Sequence, residues 1–168
     1  VKPYSALPLK QKGVIVMEQI EFEQIMSIAI KREIEANEFY TDAAKKMKDP
    51  DVKKTFEQLA GEEMGHMELL ERFKADPQMP FKIGAPSRDT KVAEATELPK
   101  LSTSMKPADA LALAMKKEQQ AVEFYRGLSA ASAEAGLKAT FDNLANMELG
   151  HKNRLENLFV DIGYPEAF

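Results

Sequence analysis

The chain has 168 residues, 44% hydrophobic and 30% charged, a balance that suits one folded domain and excludes a disordered or membrane-embedded chain. A formal net charge of -4 gives no electrostatic reason to expect nucleic acid or an anionic lipid surface as partner. With no cysteine there is no disulfide, thiolate zinc site, iron–sulfur cluster or thiol nucleophile, so any metal must be held by oxygen and nitrogen.

Residues 1–17 carry Pro3, Pro8 and Gly13 without sustained periodicity, which predicts an irregular or extended N-terminal arm ahead of a bundle domain over 18–168. Its apolar tip, Val14-Ile15-Val16-Met17, is expected to pack locally and is too short for a signal-peptide core. No apolar run reaches the roughly 18 residues that span a bilayer, so the expected location is the cytoplasm, without membrane contact. From about Ile20 to Met47 neither Gly nor Pro interrupts the helix formers, and Met26, Ile30, Glu33, Asn37, Tyr40, Ala44 and Met47 form one seam of a first long helix. Asp49-Pro50 is a helix start, which predicts a second helix from Pro50 to about Lys74, antiparallel to the first because the turn is so short. Its seam is Phe56, Leu59, Glu63, His66, Leu70 and Phe73.

Residues 76–104 hold Pro77, Pro80, Gly84, Pro86 and Pro99 and read as a long crossover, with Pro80-Phe81-Lys82-Ile83 as a candidate turn or short strand. A helix of about 27 residues is roughly 40 Å long and about 28 extended residues reach roughly twice that, enough to carry the chain back along a bundle. Lys106-Pro107 opens a third helix to about Ser132, with Leu111, Met115, Glu118, Val122, Tyr125 and Ser129 on its seam. A fourth runs from about Glu134 to Asp161, with Phe141, Leu144, Glu148, His151, Leu155 and Leu158 aligned, and is stopped by Gly163 and Pro165.

The two halves repeat. Shifted by 85 positions without a gap, Ala29, Lys31, Glu33, Ala36, Glu38, Phe39 and Tyr40 fall on Ala114, Lys116, Glu118, Ala121, Glu123, Phe124 and Tyr125. The register survives the turn, so Phe56, Leu59, Glu63, Gly65, His66 and Leu70 fall on Phe141, Leu144, Glu148, Gly150, His151 and Leu155. The expected fold is therefore all-α: two helical hairpins about a pseudo-twofold axis, giving a four-helix bundle with one crossover.

Each hairpin offers one glutamate from its first helix and a Glu-x-x-His from its second, so Glu33, Glu63, His66, Glu118, Glu148 and His151 converge as candidate metal ligands. A lone Glu-x-x-His on a helix is usually a solvated pair. Here both copies sit on apolar seams, where unpartnered carboxylates would repel one another and take up protons, whereas two divalent ions would neutralise them. This is the ligand pattern of ferritin-like di-metal carboxylate proteins. Tyr40 and Tyr125, two turns beyond Glu33 and Glu118 on the same face, are placed to hydrogen-bond a ligand carboxylate from behind. Glu38 and Glu123 read as peripheral, Glu62 as solvated, and the methionines as core filler.

The set Glu33, Glu38-Phe39-Tyr40 and Glu63-x-x-His66, repeated as Glu118, Glu123-Phe124-Tyr125 and Glu148-x-x-His151, closely resembles the rubrerythrin branch of the ferritin-like superfamily over about residues 22–160. The resemblance implies a centre of two iron ions, with the six residues above as ligands, that reacts with hydrogen peroxide or dioxygen in oxidative-stress defence on chains that commonly dimerise. Full-length rubrerythrins add a rubredoxin-like domain with cysteine-bound iron; with no cysteine here, electrons are expected from a separate, rubredoxin-like donor. Rubrerythrin also has a further glutamate three residues after the third-helix ligand, where this chain has Ala121, so the ligand switching of that family is not carried over.

The leading expectation is thus an oxidoreductase reducing peroxide or dioxygen. The alternatives are a ferroxidase that handles iron, and a metal-stabilised bundle without turnover, in which zinc or manganese could occupy the same oxygen and nitrogen ligands.

Overall fold

The structure, a computed structural model, describes residues 9–77, 89, 91–96 and 106–163. Asp49 starts the second helix as the sequence predicts: its Oδ1 accepts from the backbone N–H of Asp51 and Val52, each at 3.0 Å, and Pro50 takes the first helical position. The helices are α1 (Leu9–Lys46), α2 (Pro50–Ala75), α3 (Val92–Ala95), α4 (Pro107–Ala131) and α5 (Ala135–Gly163). Among the described residues there is no strand, and the architecture is an all-α bundle of two hairpins, α1–α2 and α4–α5. No helix among them is long and apolar enough to cross a membrane.

Two sequence expectations change. The arm predicted over residues 1–17 is helical from Leu9 onward. Past Pro8 the run Leu9-Lys10-Gln11-Lys12 consists of good helix formers, and Gly13 costs only about 1 kcal/mol relative to alanine, too little to stop a helix that continues for many turns. Residues 1–8, the side chains around Val14–Met17 and the stretch Pro80–Ile83 lie outside the described residues. In the crossover, read as irregular, Val92–Ala95 forms the short helix α3, with Lys91 before it in the left-handed region (φ 63°).

The apolar seams fill two clusters. One gathers Tyr40, Val52, Phe56, Leu59, Leu111, Met115 and Leu155; the other gathers Met26, Leu70, Phe73, Tyr125, Phe141 and Leu144. The 85-residue shift takes Tyr40, Phe56 and Leu59 of the first cluster onto Tyr125, Phe141 and Leu144 of the second, so the repeat exchanges the two halves of the core. Each cluster draws on both hairpins, and burial of these side chains holds the hairpins together. Helices pack closely within each hairpin and stand further apart between hairpins.

Candidate metal centre

Glu33, Glu63, His66, Glu118, Glu148 and His151 are all buried, each 4% exposed or less. The structure therefore brings together all six of the glutamates and histidines that the seams offered as candidate ligands. Ligating atoms of Glu63, His66, Glu148 and His151 lie within 4.8 Å of one another, with Glu33 and Glu118 on either flank. The two imidazoles are stacked with ring centres 5.0 Å apart and planes 5° from parallel.

Each imidazole turns its Nδ1 toward the carboxylates. His66 Nδ1 is 3.1 Å from Glu63 Oε2, 3.2 Å from Glu148 Oε1 and 3.3 Å from Glu33 Oε2. His151 Nδ1 is 3.2 Å from Glu63 Oε1, 3.4 Å from Glu148 Oε2 and 3.8 Å from Glu118 Oε2. Glu63 and Glu148 thus present one oxygen to each histidine, whereas Glu33 faces only His66 and Glu118 only His151.

The outer oxygens of the flanking glutamates are held across the hairpins. Tyr125 Oη donates to Glu33 Oε1, and Tyr40 Oη donates to Glu118 Oε1. Each tyrosine serves the glutamate of the other hairpin rather than its own, because the twofold brings α1 and α4 face to face. Burial, then the neighbouring carboxylates, raises both phenols well above their ordinary range, so they stay protonated and remain donors.

Charge in this cluster is strained toward cations. Burial, reinforced by the charges of Glu148 and Glu63, pushes the Glu33 carboxyl up to about 8 despite the pull of His66, and burial with Glu63 and Glu148 raises Glu118. Burial disfavours a charged His66, but the carboxylates of Glu148, Glu33 and Glu63 around its Nδ1 outweigh it and push that imidazole up to about 12. His151 is raised in the same way, by Glu148, Glu62 and Glu63. Glu148, which burial alone would raise, is held well below the usual carboxylate range by His151 and His66.

Protons serve this donor set poorly. One Nδ1–H can satisfy one acceptor, yet each Nδ1 is crowded by three oxygens, and Glu63 Oε2 is buried without a hydrogen bond although it lies 3.1 Å from His66 Nδ1. Ligands about 2.1 Å from a common ion stand roughly 3.0–3.4 Å from one another, the spacing found around both nitrogens except at Glu118, which lies 3.8 Å from His151 Nδ1. Oxygen and imidazole donors, with two carboxylates shared, fit a pair of divalent cations.

Among the described residues, two openings reach the cluster. Between α1 and α4 a pocket of about 250 Å³ is lined by Glu33, Tyr40, Glu118 and the paired small residues Ala36 and Ala121, with Arg32 and Lys117 also on its wall. Arg32 rests on the ring of Phe124 at 4.3 Å and Lys117 on that of Phe39 at 4.8 Å, again one from each hairpin across to the other. On the opposite, imidazole side a wider pocket of about 490 Å³ is lined by Glu62, Gly65, His66, Met147, Gly150 and His151.

Glu62 departs from the sequence reading. Rather than being simply solvated it is half-buried, 2.9 Å from His151 Nε2, and gripped by Arg154 at 2.9 and 3.0 Å. Hydrogen bonding from His151, and also from Arg154, lowers its carboxyl to about 2 against the opposing effect of burial. Glu38 and Glu123 are exposed, as expected. A second polar cluster was not foreseen: buried Lys152 lies 2.7 Å from both Asp89 and Glu94, while Glu156 Oε1 accepts from the Ala93 N–H at 2.6 Å, docking the described part of the crossover on α5. The available signal was the mismatch of Lys152 with its repeat mate Met67.

Two hairpins that enclose four buried glutamates and two histidines define the class: a ferritin-like bundle with a carboxylate–histidine centre able to hold two metal ions. The chain belongs to the rubrerythrin family, whose family model matches residues 24–159. It is similar to a solved hypothetical protein from Pyrococcus furiosus, with 28% identity over 88% of this chain and 93% of that one and a TM-score of 0.61. None of the curated proteins compared with the chain matches it.

Proposed function

We propose that the chain is a non-haem di-iron oxidoreductase that reduces hydrogen peroxide or dioxygen with electrons from a separate donor protein. The observation that carries this reading is the division of labour among the four glutamates: Glu63 and Glu148 each offer one oxygen to either histidine, while Glu33 and Glu118 each serve one. Glu63 and Glu148, with His66 and Glu33 on one side and His151 and Glu118 on the other, would hold the two ions. When bound, a pair of iron ions supplies the two electrons that, with two protons, convert hydrogen peroxide to two waters.

The protein's own groups set the conditions for that reaction. Tyr40 and Tyr125 hold one oxygen of Glu118 and Glu33, which leaves the other oxygen aimed at the imidazole side. Ala36 and Ala121 leave room between α1 and α4 for a molecule of a few atoms, so this pocket is the approach for a small oxidant. Apolar clusters at both ends of the cluster exclude bulk water along the bundle axis.

The test is anaerobic. Ferrous-loaded protein mixed with hydrogen peroxide should be oxidised rapidly, one peroxide per pair of ions, as followed by stopped-flow absorbance. Oxidation no faster than that of free ferrous ion would end this reading.

A further inference from the structure

His66 and His151 are alike at Nδ1 and unlike at Nε2. His151 Nε2 lies 2.9 Å from Glu62 Oε2, and the Arg154 guanidinium fixes that carboxylate through both its oxygens, Nη1 to Oε1 at 2.9 Å and Nη2 to Oε2 at 3.0 Å. Shifting by 85 positions replaces Glu62 with Met147 and Arg154 with Leu69, so the other half of the repeat has neither group. The contacts of His66 with carboxylates are all through Nδ1; among the described residues none faces its Nε2. Met147 borders the same pocket as His66, a thioether where the other histidine has a carboxylate.

Stability does not account for this arrangement. Glu62 and Arg154 side chains are each 40% exposed, and an ion pair so open to water contributes little to folding. A two-pronged guanidinium grip instead fixes the direction of the carboxylate, and a carboxylate on the far nitrogen fixes the ring and tautomer of an imidazole and makes its near nitrogen a stronger donor to a metal.

We propose that Glu62, positioned by Arg154, makes the two metal positions unequal, so that the ion ligated by His151 is held more tightly than the ion ligated by His66. The inference rests on the di-metal reading above. Glu62 acts through His151 and is a positioning residue. Its consequence is a centre with one resident and one more readily exchanged ion, although the six ligands are related by the repeat.

The metal-free chain is titrated with Co2+ in competition with a chromophoric chelator, and helix content is followed by circular dichroism. The wild type should bind two ions in two steps. Because mutual repulsion of the ions also separates such steps, the variants decide: E62Q should weaken the tighter step by about 10–100-fold while the weaker one changes by less than about threefold. R154Q, which leaves the carboxylate but loosens it, should weaken the same step by less, and M147E, which gives His66 an acceptor, should strengthen the weaker step. Both steps unchanged in E62Q, or both weakened equally at wild-type helix content, would overturn the inference and leave the metal centre standing. No bound Co2+ in the wild type would overturn the metal centre with it.

Discussion

The first hairpin supplies Glu33, Tyr40, Glu63 and His66; the second supplies Glu118, Tyr125, Glu148 and His151 by the same spacing, and every one of these side chains is buried where the hairpins meet. The hairpins differ at Glu62 against Met147, Leu69 against Arg154, and Met67 against Lys152. The shared groups face across the twofold, where each half must complement a copy of itself. The unshared ones have a neighbour on one side only: Glu62 and Arg154 behind His151, and Lys152 under the described stretch of crossover. A duplicated bundle therefore keeps its symmetry where the two copies form a joint site and loses it where only one copy has something to hold.

The comparison breaks most severely if the shared ligands are removed. E63A/E148A deletes both carboxylates that face the two histidines, and metal content by elemental analysis should fall from two ions per chain to none. E33A or E118A removes a group that faces one histidine, and each should retain one ion. Equal losses in all three variants would contradict the distinction between shared and private glutamates.

A smaller effect is expected on the unshared side. K152M places at position 152 the residue its repeat mate carries and leaves Asp89, Glu94 and buried Glu156 without that cation; unfolding by denaturant should show a loss of about 3 kcal/mol, the cost typical of breaking a buried pair. The same contact gives a pH signature. Hydrogen bonds from Lys152 and Lys91 lower Asp89 to about 2 against the effect of burial, so the folded form binds that proton less readily than the unfolded chain does. Its contribution is fully present above about pH 4 and is lost as pH falls toward 2. Hydrogen exchange at the Ala93 amide should accelerate across that window, and K152M, which leaves Lys91 as a partner of Asp89, should weaken the dependence.

The finest comparison concerns the tyrosines. Y40F and Y125F each leave one buried carboxylate oxygen without its donor, at a cost of about 1–2 kcal/mol in thermal or denaturant unfolding. The two values should agree within about 0.5 kcal/mol, because the sites are related by the repeat and their surroundings correspond. A neutral Y40F beside a costly Y125F would show that the symmetry of the centre is only apparent.

Much of this was legible in the sequence because helical periodicity and the repeat constrain the same positions twice. Glu63 and His66 at core positions of one seam are ambiguous alone, but Glu148 and His151 at the same positions of the other are not. The seam through Leu111, Met115, Glu118, Val122, Tyr125 and Ser129 is buried throughout. What escaped was of two kinds. Tyr40 and Tyr125 hydrogen-bond Glu118 and Glu33, yet the choice of the opposite hairpin's glutamate depends on how α1 and α4 approach, which no single seam encodes. Glu62, Arg154, Lys152 and Asp89 form contacts between residues distant in the chain, and periodicity is silent about those. Their one trace was a mismatch with the repeat, most plainly at Lys152 against Met67. Leu9–Met17 was misread because the prolines and Gly13 outweighed, in the reading, a run of good helix formers that the chain in fact uses.

The account stands on two cations at the junction of the hairpins. The most direct measurement is elemental analysis of the metal-free chain after anaerobic loading with ferrous ion and removal of the excess. Two iron ions per chain are predicted. None, one, or a number that E63A/E148A leaves unchanged would contradict it.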